Sequence, residues 1–246
     1  MATTDDIAFG WYGKRPSTGD FVSRRLPKAL VDRLDLWLQA GMTALRERAP
    51  DAWQGRYAAA PVWNALIPSR ILAPDACLAV VAASHDRVGR RFPMCVIVQL
   101  PGGRGALSRI ASLPAYCAGL AALVDGAIRS PVGADDLDRQ LSTLTAQFVR
   151  GEEAPVDDLS DIAAVLGDAA IDNDLATVPL GADSAFPWPD LARVFEPGGT
   201  TSYWWSAARP GRVQSGFTHA GALDAALFLT LFGDARDAHA GSGTPD

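Results

Sequence analysis

Two short segments hold most of the side chains here from which a binding or catalytic site could be built. They are Gly13-Lys14-Arg15-Pro16-Ser17-Thr18-Gly19-Asp20-Phe21 and Asp86-Arg87-Val88-Gly89-Arg90-Arg91-Phe92-Pro93, and each combines a carboxylate, cations and a glycine. Lys14, Arg87 and Arg90 have the chemistry to hold an anion or an acidic partner, because guanidinium and ammonium groups form charge-assisted hydrogen bonds to oxyanions. The same residues can also serve only the chain itself. In that reading Asp20 and Asp86 accept hydrogen bonds from loop amides and pair with a cation, holding two turns in shape. A third feature is aromatic: Trp63, Tyr203, Trp204 and Trp205. Neighbours on a strand face opposite ways, so Trp204 and Trp205 belong to different faces, each as core packing or as an anchor for a partner.

Familiar catalytic templates are missing. The sequence contains no GxxxxGK[ST] loop, no HExxH and no GxSxG. Gly10-Trp11-Tyr12-Gly13-Lys14 resembles a phosphate loop only in outline, since Arg15 stands where a Ser or Thr would follow the lysine. His85, His219 and His239 are far apart in loop or tail contexts. Cys77, Cys95 and Cys117 are odd in number and lack CxxC spacing. They lie on apolar stretches that raise a thiol pKa, which predicts buried, reduced cysteines. The expectation is no catalytic residue, no metal ligand and no cofactor. Lys14, Asp20, Asp86, Arg87, Arg90 and Trp204 remain as a candidate structural or partner-binding cluster.

The elements that must position these residues follow from periodicity. Ile7–Tyr12 reads as a first strand and Lys14–Asp20 as a turn. From Pro27 a helix begins, with Leu30, Leu34, Trp37, Leu38, Gly41 and Leu45 on one face, and Pro50 closes it. Ala52–Ala60 reads as a short helix; Val62–Ile67, Cys77–Ala83 and Phe92–Leu100 read as strands, with a polar loop at Ser84–Arg91. The near-continuous apolar character of Phe92–Leu100 predicts a strand covered on both faces. Helices are expected at Leu113–Arg129, Asp135–Val149, Leu159–Leu166 and Ala222–Phe232, and further strands at Thr200–Ala207 and Val213–Thr218. With no linker signal, these elements predict one α/β domain over residues 1–234. Its mixed central sheet carries helices on both faces, a three-layer α/β/α sandwich, with 235–246 a frayed tail.

Composition narrows the function classes. The chain has 246 residues, 48% of them hydrophobic, with a mean hydropathy of +0.07, enough to bury a sizeable core. The longest apolar run is eight residues, Ala76–Ala83, too short to cross a bilayer. Asp5 and Asp6 sit where a signal peptide would be basic, so a cytoplasmic location without membrane insertion is expected. The net charge of −6 and pI near 5.0 weigh against broad nucleic-acid binding. That charge is unevenly spread: residues 1–150 carry 18 Lys/Arg against 13 Asp/Glu, and residues 151–246 carry 4 against 15. Such a dipolar surface can orient a charged partner.

In order, the strings FGWYGKRPSTGDFVSRRLP, DLWLQ, APVWNALIP, HDRVGRRFPM and SYWW resemble the TagF/ImpM family, accessory proteins of bacterial type VI secretion systems. The resemblance is close over residues 8–100 and looser over 200–232. It departs at Ala83, Ser84 and His85, and at Ser215-Gly216-Phe217, without touching the charged residues. It implies a non-enzymatic cytoplasmic protein that restrains the secretion machine post-translationally. The implied partner is a scaffold protein with a forkhead-associated domain, in a pathway that also holds a PP2C-type phosphatase, which for this chain would be a separate polypeptide. The reading from a different class is a small-ligand or phosphate-handling enzyme built on Lys14, Asp20, Asp86, Arg87 and Arg90. It requires those groups to converge on an open cavity.

Overall fold

The computed structural model describes residues 7–101, 113–130, 132–150, 186–207 and 215–233. In chain order the strands are β1 (Phe9–Gly13), β2 (Val22–Arg24), β3 (Trp63–Ile67), β4 (Ala76–Ala82), β5 (Met94–Leu100), β6 (Thr201–Ser206) and β7 (Gly216–Ala220). They form one sheet in the order β2-β1-β5-β4-β3-β6-β7. The helices are α1 (Lys28–Arg48), α2 (Trp53–Ala59), α3 (Leu113–Arg129), α4 (Ala134–Arg150), α5 (Leu191–Val194) and α6 (Ala225–Phe232). The α/β class with helices on both faces is as expected, but the sheet is not mixed. Every strand pair is antiparallel. Among the described connections the helices do not act as crossovers between adjacent parallel strands, the arrangement that an α/β alternation usually signals.

Strand alternation divides the core in two. Trp11, Leu66, Leu78, Val80, Val96, Val98 and Trp205 face α3 and α4. Tyr12, Ala65, Ile67, Ala79, Cys95, Ile97 and Trp204 face α1, α2 and α6. Because β3, β4 and β5 are covered on both sides, nearly every residue in them is buried. On the first face, Tyr116 and Phe148 stack at 4.2 Å and join α3 to α4. On the second, α1 buries Leu30, Leu34, Trp37, Leu38, Gly41, Met42 and Leu45, the expected stripe with one more member.

Most boundaries fall within two or three residues of the sequence reading. The exceptions are β2 and the single turn α5, which the sequence reading lacks altogether. The three residues of β2, on a sheet edge and largely exposed, are too few to show a period, and Arg24 and the adjacent Arg25 are of the kind that keeps an edge from pairing with another chain. The helix expected at Leu159–Leu166 and the tail at 235–246 lie outside the described residues. Cys77, Cys95 and Cys117 are free and buried, and burial pushes the Cys77 and Cys117 thiols up to about 12. Among the described residues no helix is long and apolar enough to cross a membrane.

Gly41 lets α1 and α6 approach closely. A methyl group there would overlap the Phe228 ring, itself fully buried against Trp37 and Phe232. Overpacking of this kind costs about 1–3 kcal/mol. Gly41→Ala is therefore expected to lower the urea midpoint despite the better helix propensity of alanine. An unchanged or raised midpoint would show that the two helices are not in contact there.

Candidate functional site

The two charged segments meet at one end of the sheet, and strand pairing explains why. β1 runs antiparallel to β5, with Gly13 opposite Met94, so the loop leaving β1 and the loop entering β5 emerge side by side. Gly13 makes this possible at φ +136°, in contact with the Pro93 carbonyl, a conformation and a closeness that a side chain would not tolerate. The backbone then crosses between the loops. The Arg87 amide donates to the Thr18 carbonyl at 2.9 Å, and the Ser84 hydroxyl donates to the Lys14 carbonyl at 2.7 Å.

At the centre of this junction is the carboxylate of Asp86, fully buried. Its Oδ2 accepts from Lys14 Nζ at 2.8 Å and from Arg90 Nε at 2.6 Å. Its Oδ1 accepts from the backbone amides of Val88 at 3.1 Å and Arg90 at 2.9 Å. Burial by itself would push this carboxyl up. The hydrogen bonds from Lys14 and from the Arg90 amide and guanidinium, with the charge of Lys14, outweigh burial and hold it below the usual carboxylate range. Arg90 also reaches back, donating from Nη2 to the Gly19 carbonyl at 2.6 Å. Lys14 Nζ lies 4.9 Å from the centre of the Phe21 ring, which packs edge-on against Phe92 at 4.8 Å.

Not every expected member joins. Asp20 and Arg87 are exposed and outside the ion pairs; each contributes through its backbone, Asp20 by accepting from the Thr18 hydroxyl at 3.1 Å. Trp204 is a core residue, not an exposed anchor. It is fully buried on the opposite side of the sheet from Trp205, stacked near Phe217 at 6.4 Å, with its indole donating to Ser202 Oγ at 2.9 Å. His219 is engaged with the Ala222 carbonyl, and His85 stands in an isolated bridge to Arg91. His239 lies outside the described residues.

Arg15 is the residue that sequence reasoning missed. It turns away from Lys14 into the other face of the sheet, where it is fully buried over the Trp11 ring at 5.2 Å. Its Nη2 donates to the Val132 carbonyl, while Nε and Nη1 have no partner among the described residues. Burial, then repulsion from Arg24, pushes its pKa down. Only the strand period continued past Gly13 signals this: Trp11, Gly13 and Arg15 fall on one face. Beside it Trp11 donates to Asp138 at 3.2 Å and Arg25 pairs with Asp138 at 2.7 Å, which ties the first loop to α4.

A cleft of about 600 Å³ opens beside the ion pairs, between their loops and α1 and α2, with Lys14, Arg90 and Phe92 in its wall. Of the five residues that the enzyme reading needs to converge on an open cavity, only Lys14 and Arg90 line this cleft; Asp20, Asp86 and Arg87 do not. Asp86 is moreover engaged at both oxygens, and Lys14 and Arg90 are both paired to it. Among the described residues no group of three or more His, Cys, Asp or Glu side chains is placed to hold a metal.

The loops that meet at Asp86 fall within the part of the chain that matches a known family. Residues 10–144 match the TagF N-terminal domain, described as type VI secretion system-associated. The chain belongs to the TagF family. A crystal structure of PA0076 from Pseudomonas aeruginosa PAO1 is similar over 97% of this chain and 100% of that one, at 26% identity and a TM-score of 0.52. No functionally curated protein matches the chain. In this TagF-family chain the matched region contains β1 to β5, both charged loops, α1, α2 and α3, and the cleft walls, so the site is part of what the family match covers.

Asp86→Ala leaves a buried lysine and an arginine without their counter-charge, a change that usually destabilises strongly. The expected loss in melting temperature is on the order of 10 °C; a shift within a degree or so would show that the junction does not depend on the carboxylate. The effect has a defined pH window. A carboxyl with a depressed folded-state pKa stabilises fully above its unfolded value of about 4 and loses that contribution as pH falls further, through the folded value. The gap in melting temperature between wild type and Asp86→Ala should be constant from roughly pH 5 to 8 and narrow below about pH 4. A gap that widens on acidification would reverse the sign assigned here.

Proposed function

We propose that this chain is a non-enzymatic, cytoplasmic accessory protein of a type VI secretion system. In this reading it restrains the system post-translationally by binding a scaffold protein with a forkhead-associated domain. A PP2C-type phosphatase would act in the same pathway. The observation that carries the reading is the family match over residues 10–144, which includes the whole charged junction. The uneven charge supports it, since the acidic surplus of residues 151–246 against the basic surplus of 1–150 suits an oriented encounter with a partner. The engagement of Asp86 supports binding over catalysis, because its carboxylate is taken up at both oxygens and is not free to act as a base.

Isothermal titration of this chain against the forkhead-associated protein encoded in the same secretion cluster tests the partner. Saturable heat with a dissociation constant in the micromolar range or below is expected. With both proteins folded, no binding at tens of micromolar overturns the assignment.

A further inference from the structure

The cleft beside Asp86 has two kinds of wall. Phe21, Phe92, Met42 and Trp53 give it an apolar side, and Phe21 is 47% exposed, an unusual state for a large aromatic ring. Lys14, Arg46, Arg90 and Arg91 give it a cationic side, and no carboxylate belongs to the lining. Asp86, beneath it, neutralises one of those four charges and leaves a surplus of three. Arg46 lies 5.1 Å over the Trp53 ring, and neither Arg46 nor Arg91 makes an ion pair among the described residues. Two unpaired guanidinium groups at the rim of an aromatic floor call for an occupant that is acidic and partly apolar.

We infer that this cleft docks an acidic peptide segment of a protein partner, its carboxylates on Arg46, Arg90 and Arg91 and one apolar side chain on Phe21 and Phe92. The protein as a whole is acidic, with a net charge of −6, so its long-range field repels nucleic acids and anionic membranes while the cleft attracts a short anionic segment locally. A free inorganic anion would leave the apolar side unused. A peptide engages both sides, and about 600 Å³ accommodates several side chains. This inference deepens the binding function proposed above and rests on it.

The test separates the two. Wild type, Arg46→Glu/Arg91→Glu and Phe21→Ser are titrated with the forkhead-associated protein and with a fluorescein-labelled peptide of alternating Asp/Glu and Leu/Trp. Melting temperatures are measured in parallel. If the double variant fails to fold, Arg46→Glu alone, on an exposed position of α1, replaces it. The expected result is a loss of affinity on the order of tenfold or more for the charge reversal, a smaller loss for Phe21→Ser, and weaker wild-type binding as salt rises. Equal affinity of wild type and both variants for the scaffold protein overturns the cleft while the partner assignment stands. If the scaffold protein does not bind at all, the partner assignment fails and the peptide decides: binding lost on charge reversal supports the cleft, and no peptide binding overturns it. Displacement of the peptide by millimolar inorganic phosphate, or tighter binding of a single-stranded RNA oligonucleotide, also overturns it.

Discussion

A single buried carboxylate, Asp86, holds two loops that the sequence separates by about seventy residues. A fully buried anion is stable only if its lone pairs are occupied and its charge is met. Here two backbone amides occupy one oxygen, and a lysine and an arginine occupy the other. Each donor comes from a position that the sheet has already fixed. Lys14 follows β1, Arg90 precedes β5, and the antiparallel pairing of those strands puts both within reach of the same atom. The tie then propagates outward. Arg90 fixes the Gly19 carbonyl, Lys14 lies under Phe21, and Phe21 with Phe92 forms one wall of the cleft.

The opposite face of the same loop follows a different rule. Arg15 is buried on an aromatic ring with one carbonyl for a partner, so two of its nitrogens are unsatisfied among the described residues. Adjacent residues at the end of a strand have been sent to opposite faces. One cation is neutralised and the other is held by Trp11 and a backbone carbonyl. The loop is thereby anchored on both sides of the sheet, through Asp86 toward the α1 face and through Arg15, Arg25 and Asp138 toward α4.

Much of this was legible before any coordinates. Alternation and apolar stripes placed α1, α3, α4 and β3 to β6 within a few residues, because each buries a regular face. The charged loops were recognisable from their residue types, and their adjacency followed once β1 and β5 paired. Local sequence says less about strand direction, since that depends on which distant strand lies alongside, and the antiparallel sheet replaced a mixed one for this reason. Trp204 shows a related limit: a Trp-Trp pair on a strand looks the same whether one face is open or both are covered. Arg15, one residue from Lys14 and of the same charge, differs from it only in the face that the strand period assigns it, which residue type alone does not reveal. Arg46 and Trp53 lie on separate helices, so the cationic and aromatic sides of the cleft become one feature only when those helices pack.

The dependence of the junction on one ion pair is tested most directly by a double-mutant cycle on Lys14→Met and Asp86→Asn, read from denaturant midpoints at neutral pH and again at high salt. If the two side chains act through each other, each single variant is clearly destabilised. The double variant is then much less destabilised than the two single losses added together, because the second substitution removes a charge already left unpaired. The coupling should also persist at high salt, since the pair is buried. Additive losses, or single variants as stable as wild type, would contradict the central place given to Asp86.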